Sequence, residues 1–276
     1  GFYFDNLTGQ GVTNFALGGY TIVNSEVVVD LAPEYPPWDT KAFEKLQTMV
    51  SGKNGSILVD LGAYMDINYN ETLFLSSLST FVSTYKVNGF IVRLSSYNMD
   101  NIQNLSKVLL AIQNKSVAAL GFESSDWQKV KEANLTNYTS MGFVSLWPND
   151  KNATTTFNTQ EYAYSVIKNA TLAGVSNSTL VLEEILLARS NYGSDDVGYS
   201  NMIYDFNADP HGNGTVVMNA TTGDMYFFIS QSQAVQRAKL SDASHLHGVM
   251  LQGNDGFEED LYPWDDKSIC YGLAHR

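Results

Sequence analysis

The feature that most constrains this chain is a complete strand–helix–strand unit at residues 56–95. The run from Ser56 to Gly62 is short, rich in β-branched residues and almost continuously apolar, which is typical of a strand covered on both faces. Apolar residues then recur at helical spacing from Phe74 to Tyr85, and Asn88-Gly89 precedes a second apolar run. Because two parallel strands need such a crossover, the unit predicts an α/β fold.

The rest of the chain repeats this alternation. We predict a first strand at residues 2–5, a second at 13–23 and a fifth at 117–123, with helices between the later strands. Only about six residues separate the first two predicted strands, so we expect the first crossover helix to be reduced or missing. Residues 191–218 lack a helical period and predict a short loop or hairpin insertion before the last strand. A single domain covering residues 1–276 is expected, since one barrel of this length can bury one core.

Composition excludes several classes of function. The 276-residue chain has a formal net charge of −13, which argues against binding nucleic acid or anionic membranes. It contains no apolar run long enough to span a membrane. His245 and His247 lie two residues apart, but no nearby cysteine or acidic motif completes a metal site. We therefore expect no metal and no other cofactor.

Glycosylation signals indicate the compartment. The chain carries twelve Asn-x-Ser/Thr sequons, which favour a secreted, extracellular glycoprotein. Residues 1–5 do not resemble a signal peptide, so we expect that any such peptide has been removed or was never present. Their asparagines are Asn6, Asn54, Asn70, Asn104, Asn114, Asn134, Asn137, Asn152, Asn169, Asn177, Asn213 and Asn219. The single Cys270 excludes an internal disulfide; it either pairs with another chain or is a buried thiol, and we favour the buried thiol.

The central unit resembles the core of glycoside hydrolase family 18, the chitinases and chitinase-like proteins. Leu61-Gly62-Ala63 is similar to the family's LGG turn, and residues 88–95 stand in register with its D-G-x-D-x-D-x-E motif. Residues 13–23 resemble the family's second strand, and residues 246–255 resemble its final GGxMxWxxDxD strand. The resemblance spans nearly the whole chain and implies a single (β/α)8 TIM-type barrel.

The resemblance fails at the positions that contact substrate. The four acids of the motif are replaced by Asn88, Ile91, Arg93 and Ser95, and the Trp that floors the sugar site is Gln252. A serine hydroxyl cannot protonate a leaving group as a tuned carboxylic acid does. We therefore expect no catalytic residues and a pseudoenzyme that has lost chitinase activity.

Other acids could form a new catalytic pair, and the candidates are Asp5, Asp60, Glu123, Asp150 and Glu183 or Glu184. We favour instead a structural role in which a buried acid pairs with an arginine. Arg93 needs such a partner, and Asp60 on the adjoining strand is the first choice. Because successive strand residues alternate in direction, at most one of Glu183 and Glu184 points into the barrel.

Two functions remain open. The first is a non-catalytic extracellular protein that acts through its surface, as a structural matrix component or an immune-modulating protein, with a protein partner or self-assembly. The second is a lectin for chitin-type oligosaccharides in a remodelled groove, with Trp147, Tyr64 and Tyr192 as candidate ligand-binding residues. An unrelated hydrolase is a distant third. Gln252 and the sequons favour the first function, a protein that acts through its surface. We expect a partner surface in residues 191–213 and 223–270, where sequons are scarce.

Overall fold

The computed structural model describes residues 2–30, 36–64, 66, 68–94, 102–148, 150–193, 196–253 and 259–276. The chain divides into two compact units. Unit 1 comprises Gly1–Phe122, Asp126–Phe143 and Ala173–Val175, and unit 2 comprises Glu123–Ser125, Val144–Leu172 and Ser176–Arg276. Among the described residues, no helix has the length and apolar character needed to cross a membrane.

Unit 1 alternates strands and helices. Its elements in chain order are α1 (Phe2–Gly9), β1 (Asn14–Leu17), β2 (Tyr20–Val23), β3 (Glu26–Val29), α2 (Thr40–Ser51), β4 (Ser56–Ala63), α3 (Glu71–Thr84), β5 (Gly89–Arg93), α4 (Ile102–Gln113), β6 (Val117–Glu123), α5 (Trp127–Glu132) and β7 (Met141–Ser145). The strand order of its main sheet is β1-β4-β5-β6-β7, and the pairs β1–β4, β4–β5 and β5–β6 are parallel.

The predicted central unit is confirmed as β4, α3 and β5. Helix α3 buries Phe74, Leu78 and Phe81, the residues that its sequence spacing places on one face. Burying each such side chain stabilises the fold by about 1.5–3 kcal/mol. The predicted fifth strand is also confirmed, as β6.

The predicted first strand is wrong, because residues 2–5 lie in helix α1. Thr8 Oγ1 donates to the Phe4 carbonyl oxygen at 2.9 Å, one helical turn back. Leu7 is buried, and the Phe4 ring packs edge-on against Phe15 of β1 at 5.7 Å between centroids. An aromatic-rich run favours a strand by propensity alone, but packing of this kind overrides such propensities. The predicted second strand, in turn, is split into β1 and β2.

Strands β2 and β3 form an antiparallel hairpin. Asn24 and Ser25 at its tip have φ values of 51° and 64°, which a type I′ turn requires. The Asp66 carboxylate accepts from both turn amides, at 3.0 Å from Asn24 N and 2.7 Å from Ser25 N. Ser25 Oγ accepts a further bond from Asn70 N at 2.8 Å. The hairpin tip is thus fastened to the loop that follows β4.

Unit 2 contains the remaining elements: α6 (Gln160–Leu172), β8 (Leu180–Ile185), β9 (Leu187–Ser190), β10 (Val197–Gly198), α7 (Tyr199–Tyr204), β11 (Thr215–Asn219), β12 (Asp224–Phe227), α8 (Gln231–Ala243), β13 (Gly248–Gln252) and α9 (Ile269–Ala274). The last two residues of β7, Val144 and Ser145, also belong to this unit. Its main-sheet strand order is β7-β8-β13, and β8 and β13 are parallel. Parallel strands in both units, with helices between them, confirm the α/β class.

The predicted insertion before the last strand is a small antiparallel sheet of order β10-β9-β12-β11, in which β11 and β12 form a hairpin. No sequence pattern predicted α7, the short helix between β10 and β11. The extended segment 180–190 is interrupted at Leu186, whose N–H donates to Gln252 O at 2.7 Å while its carbonyl accepts from Tyr199 N at 2.9 Å. Leu186 therefore separates β8 in the main sheet from β9 in the antiparallel sheet.

Candidate functional site

Arg93, one of the residues predicted to align with the family's acidic motif, forms an ion pair in unit 1. Arg93 at the end of β5 donates from Nη2 to Asp60 Oδ2 at 2.6 Å, and from Nε to both Asp60 oxygens at 3.2 and 3.0 Å. Asp60 Oδ1 also accepts from Gly62 N at 2.9 Å. The side chains are 20% and 17% exposed, so the pair is largely desolvated. The predicted partnership of Arg93 with Asp60 is confirmed.

Strand β6 leaves room for this arginine at Gly121. A Cβ atom built on Gly121 would lie 2.8 Å from Arg93 Cγ and 2.9 Å from its Nη1. Contacts this short do not occur in real structures, and Arg93 cannot move away without weakening its bonds to Asp60. Gly121 therefore helps to fix the guanidinium in place.

The other motif positions have structural roles where they are described. Asn88 Oδ1 accepts from Ile57 N at 2.8 Å, and Asn88 O accepts from Val117 N at 3.0 Å, so Asn88 links β4 and β6 to the start of β5. Ile91 is fully buried. Ser95, which the sequence resemblance aligns with the family's general acid, lies outside the described residues, so this prediction stays untested.

We expect Asp60→Asn to lower the free energy of unfolding by about 1–3 kcal/mol, because the largely desolvated Arg93 guanidinium would lose the negative charge of Asp60. Gly121→Ala is also expected to lower the free energy of unfolding, because the added Cβ atom would displace the Arg93 side chain from Asp60. Urea unfolding of both variants tests this, with Asp30→Asn as a control at an exposed aspartate. Variants as stable as the unmodified protein would contradict a structural role for the pair.

Tyr64, a candidate ligand-binding residue, is only 3% exposed. Its backbone N–H donates to Arg93 O at 3.0 Å, and its hydroxyl is buried without a hydrogen-bond partner among the described residues. Burial raises the pKa of Tyr64 above its ordinary value, and Asp66 and Tyr69 raise it further. In this conformation the Tyr64 ring offers no open face to a sugar, and its role in binding stays a prediction.

The other two candidate ligand-binding residues lie in unit 2. Trp147 is half-buried, with Arg189 Cζ 5.5 Å from its ring centroid and Phe157 packed edge-on at 5.4 Å. Arg189 Nη1 donates to Pro148 O at 2.9 Å, which holds the guanidinium by the Trp147 ring. Tyr192 is 58% exposed, and its hydroxyl donates to Thr222 O at 2.7 Å. Of the three, Tyr192 is the most accessible.

Strand β8 carries two buried acids. Glu184 Oε1 lies 3.5 Å from Nη1 of Arg237, a fully buried residue of α8 that also donates to Phe157 O at 2.6 Å and Thr159 O at 2.9 Å. Burial raises the pKa of Glu184, and the charge of Arg237 partly opposes the rise. Because Glu184 points toward α8, Glu183 lies on the opposite face of the strand, as the alternation rule predicts. The buried arginine that pairs with Glu184 is therefore Arg237, a residue that sequence reasoning did not single out.

Two other predicted positions, Gln252 and Asp150, also belong to unit 2. Gln252 at the end of β13 is half-buried, and its Oε1 has no hydrogen-bond partner within the described parts of the chain. Asp150 is exposed and accepts from Ala153 N at 2.8 Å, as a local turn cap. The described residues contain no cluster of three or more His, Cys, Asp or Glu side chains placed to hold a metal ion.

Cys270 is a buried thiol, as predicted. Burial raises its pKa to about 12, with the charge of Asp260 adding to the effect. The thiolate is therefore disfavoured, and the group is unsuited to nucleophilic chemistry.

Comparison with solved structures defines the class of fold. A chitinase from Bacteroides thetaiotaomicron matches with a TM-score of 0.73 at 13% identity, covering 99% of this chain and 88% of that one. The family 18 chitinase ChiB from Flavobacterium johnsoniae matches with a TM-score of 0.69 at 10% identity, covering 99% and 90%. The chain also matches a multi-modular chitinase from Paenibacillus, of which it spans 40%.

A chitinase-like agglutinin from Robinia pseudoacacia has the same fold, with a TM-score of 0.67 at 12% identity and 97% of each chain covered. No family model and no curated protein matches the sequence. The predicted α/β TIM-type fold of glycoside hydrolase family 18 is thus confirmed. The sequence motifs and the structural comparison indicate the same fold. At these identities the likeness shows the fold alone.

Proposed function

We propose that this protein is a non-hydrolytic, secreted glycoprotein on a chitinase fold that acts through its surface. The observation that carries the proposal is the Arg93–Asp60 pair at the position of the family's acidic motif. Glycoside hydrolysis needs a carboxylic acid that can donate a proton to the leaving group. The side chain that resembles a motif acid here is a guanidinium, and both oxygens of the adjoining Asp60 carboxylate accept its hydrogen bonds.

Two of the other candidate acids support the same conclusion. Glu184 is paired with Arg237, and Asp150 caps a turn. A retaining hydrolase needs two carboxyl groups about 5 Å apart with one of them ready to donate a proton. Each of these acids is instead bound to a partner within its own unit.

Secretion is part of the proposal and is supported by the sequons. Eight of the twelve asparagines are exposed, namely Asn54, Asn70, Asn114, Asn134, Asn137, Asn152, Asn213 and Asn219. Glycans at these positions would cover much of the surface. A partner surface would then lie where sequons are scarce, and we place a matrix or immune-modulating contact there.

Exposed aromatic residues lie in those sequon-poor segments. Tyr262 and Trp264 are 65% and 44% exposed and stack on each other at 4.8 Å, with their planes 3° apart. Tyr204 is 55% exposed, with Lys267 Nζ 5.2 Å from its ring centroid. Tyrosine and tryptophan are enriched at protein interfaces, so these residues support a partner surface in this region.

A lectin is the second candidate function. It is favoured by the agglutinin that shares the fold and by the exposed ring of Tyr192. The burial of Tyr64 weighs against it, because a stacking site needs an accessible ring face.

The test is titration of the natively glycosylated protein with chitohexaose by calorimetry, followed by analysis of the sample for shortened products. We expect neither heat nor cleavage, with the Bacteroides chitinase as the positive control. Heat without cleavage that is lost in Tyr192→Ala or Trp147→Ala would establish the lectin. Cleavage at a rate above that of a buffer blank would overturn the proposal.

A further inference from the structure

Tyr262 is the most exposed tyrosine that the structure describes, at 65%. Its ring stacks on Trp264, which limits the movement of the ring. Among the described residues, no hydrogen bond engages the Tyr262 hydroxyl, whereas the hydroxyls of the exposed Tyr192 and Tyr204 both donate at 2.7 Å. Tyr262 therefore presents its phenolic oxygen, a potential nucleophile, directly to solvent.

A turn presents this side chain. Asp265 N donates to Tyr262 O at 2.8 Å, which closes a four-residue turn with Pro263 at its second position. The Asp265 carboxylate accepts from Lys267 N at 2.9 Å, and its carbonyl accepts from Ser268 N at 3.0 Å. These bonds hold the turn in place, so a modifying enzyme can reach the Tyr262 hydroxyl without unfolding the chain.

The charge around Tyr262 is negative. Residues 259–267 contain four acids and one base. The acids are Glu259, Asp260, Asp265 and Asp266, and the base is Lys267. Asp266 is exposed, and no described side chain pairs with its carboxylate. The Lys267 ammonium lies 5.2 Å from the centroid of the Tyr204 ring and forms no ion pair within the described parts of the chain, so it does not neutralise these acids.

An exposed phenol among acids suits an enzyme whose own active site is basic. A sulfotransferase is such an enzyme, because its donor is a nucleotide with a phosphate–sulfate anhydride and carries several negative charges. The basic groups that hold this donor also attract an acidic acceptor segment and repel a basic one. The acids beside Tyr262 therefore favour its encounter with a sulfotransferase.

We propose that Tyr262 is sulfated on its phenolic oxygen during secretion. The oxygen attacks the sulfur atom of the donor, an O–S bond forms, and the bond from sulfur to the bridging anhydride oxygen breaks. The nucleotide leaves with that electron pair, and the phenolic proton passes to a base of the enzyme. The inference rests on the proposed secreted state, and it deepens the proposed function because a sulfate ester adds a lasting negative charge to the partner surface.

The test is mass spectrometry of the protein secreted by a host that both glycosylates and sulfates. Trypsin releases residues 240–267, in which Tyr262 is the only tyrosine. We expect this peptide to carry the added mass of one SO3 group, which phosphatase does not remove and which leaves as a neutral fragment on collisional activation. Tyr262→Phe should abolish the added mass. Asp266→Lys should lower the modified fraction about threefold or more, because it reverses one charge of the acceptor segment.

The matched control is Tyr164, which is 59% exposed and has no hydrogen bond at its hydroxyl among the described residues. It lies in α6, and Glu161 and Lys168 are the only charged residues within five positions of it. Because its surroundings carry no net charge, we expect Tyr164 to stay unmodified. Equal modification of Tyr164 and Tyr262, or an unchanged modified fraction in Asp266→Lys, would overturn the inference.

Two further outcomes separate this inference from the proposed function. Unmodified Tyr262, or a group on it that phosphatase removes, in protein that carries N-glycans would overturn sulfation and leave secretion standing. A chain that is neither secreted nor glycosylated would overturn both. The proposed lack of hydrolysis is tested independently with chitohexaose.

Discussion

Replacing Arg237 with methionine is expected to lower the free energy of unfolding by about 3–5 kcal/mol. The change removes the counter-charge of the buried Glu184 and two donors to the carbonyl oxygens of Phe157 and Thr159. These acceptors would stay buried without their partner, which costs more than the original bonds contribute. Urea unfolding followed by circular dichroism measures the loss.

The loss should depend on pH in a defined direction. Burial already raises the folded-state pKa of Glu184, and removing Arg237 removes the charge that opposes this rise. A carboxyl whose folded pKa is raised contributes stability at low pH, and loses it as pH rises through the folded value. Arg237→Met should therefore be less destabilising at pH 5 than at pH 8.

Arg276→Met is the matched control, because Arg276 forms a pair with Asp242 at 3.1 Å whose side chains are 33% and 66% exposed. A solvent-exposed pair contributes little, so we expect a change within about 0.5 kcal/mol. If both arginine variants lose equal stability, or if the loss in Arg237→Met is the same at pH 5 and pH 8, the role given to the buried pair is wrong.

Asp260→Ala is expected to have the second-largest effect, a loss of about 3–4 kcal/mol together with exposure of Cys270. The carboxylate of Asp260 accepts from the backbone N–H groups of Leu261, Ile269 and Cys270 and from Ser268 Oγ, all at 2.8–2.9 Å. It therefore anchors the start of α9. Without it, this helix should open more often and admit reagents to the thiol.

The rate of Cys270 labelling by a thiol reagent under native conditions tests this second prediction. We expect an increase of about tenfold or more in Asp260→Ala, and none in Asp242→Ala, where an exposed aspartate is removed. Equal labelling rates in the two variants would mean that Asp260 does not hold the C-terminal helix.

The sequence predicted best where local pattern and final packing agree. Strands β4 and β6 and helix α3 follow directly from apolar runs and helical spacing, because their buried faces are continuous in the sequence. The Arg93–Asp60 pair was predictable because a lone charge between adjoining strands requires a nearby opposite charge.

Other features depend on contacts that are distant in sequence. The sequence of helix α8 is mostly polar, so it does not predict that Arg237 is buried. Arg237 is buried because carbonyl oxygens about 80 residues earlier in the chain accept its hydrogen bonds. The aromatic residues of helix α1 match strand propensity and therefore predict a strand, whereas the packing of α1 against β1 depends on residues that follow it in the sequence. The interruption at Leu186 has no local signal, since it arises from bonds to Gln252 and Tyr199.

The fastening of the β2–β3 hairpin limits motion in the loop after β4. Lifting the hairpin tip would break both bonds to the Asp66 carboxylate and those at Ser25 Oγ. At about 1–1.5 kcal/mol for each bond to the carboxylate, the opened form lies about 3 kcal/mol higher, which is roughly one molecule in a hundred. A ligand that needed this loop displaced would lose affinity by the same factor. A molecule that fits the closed form does not carry this cost.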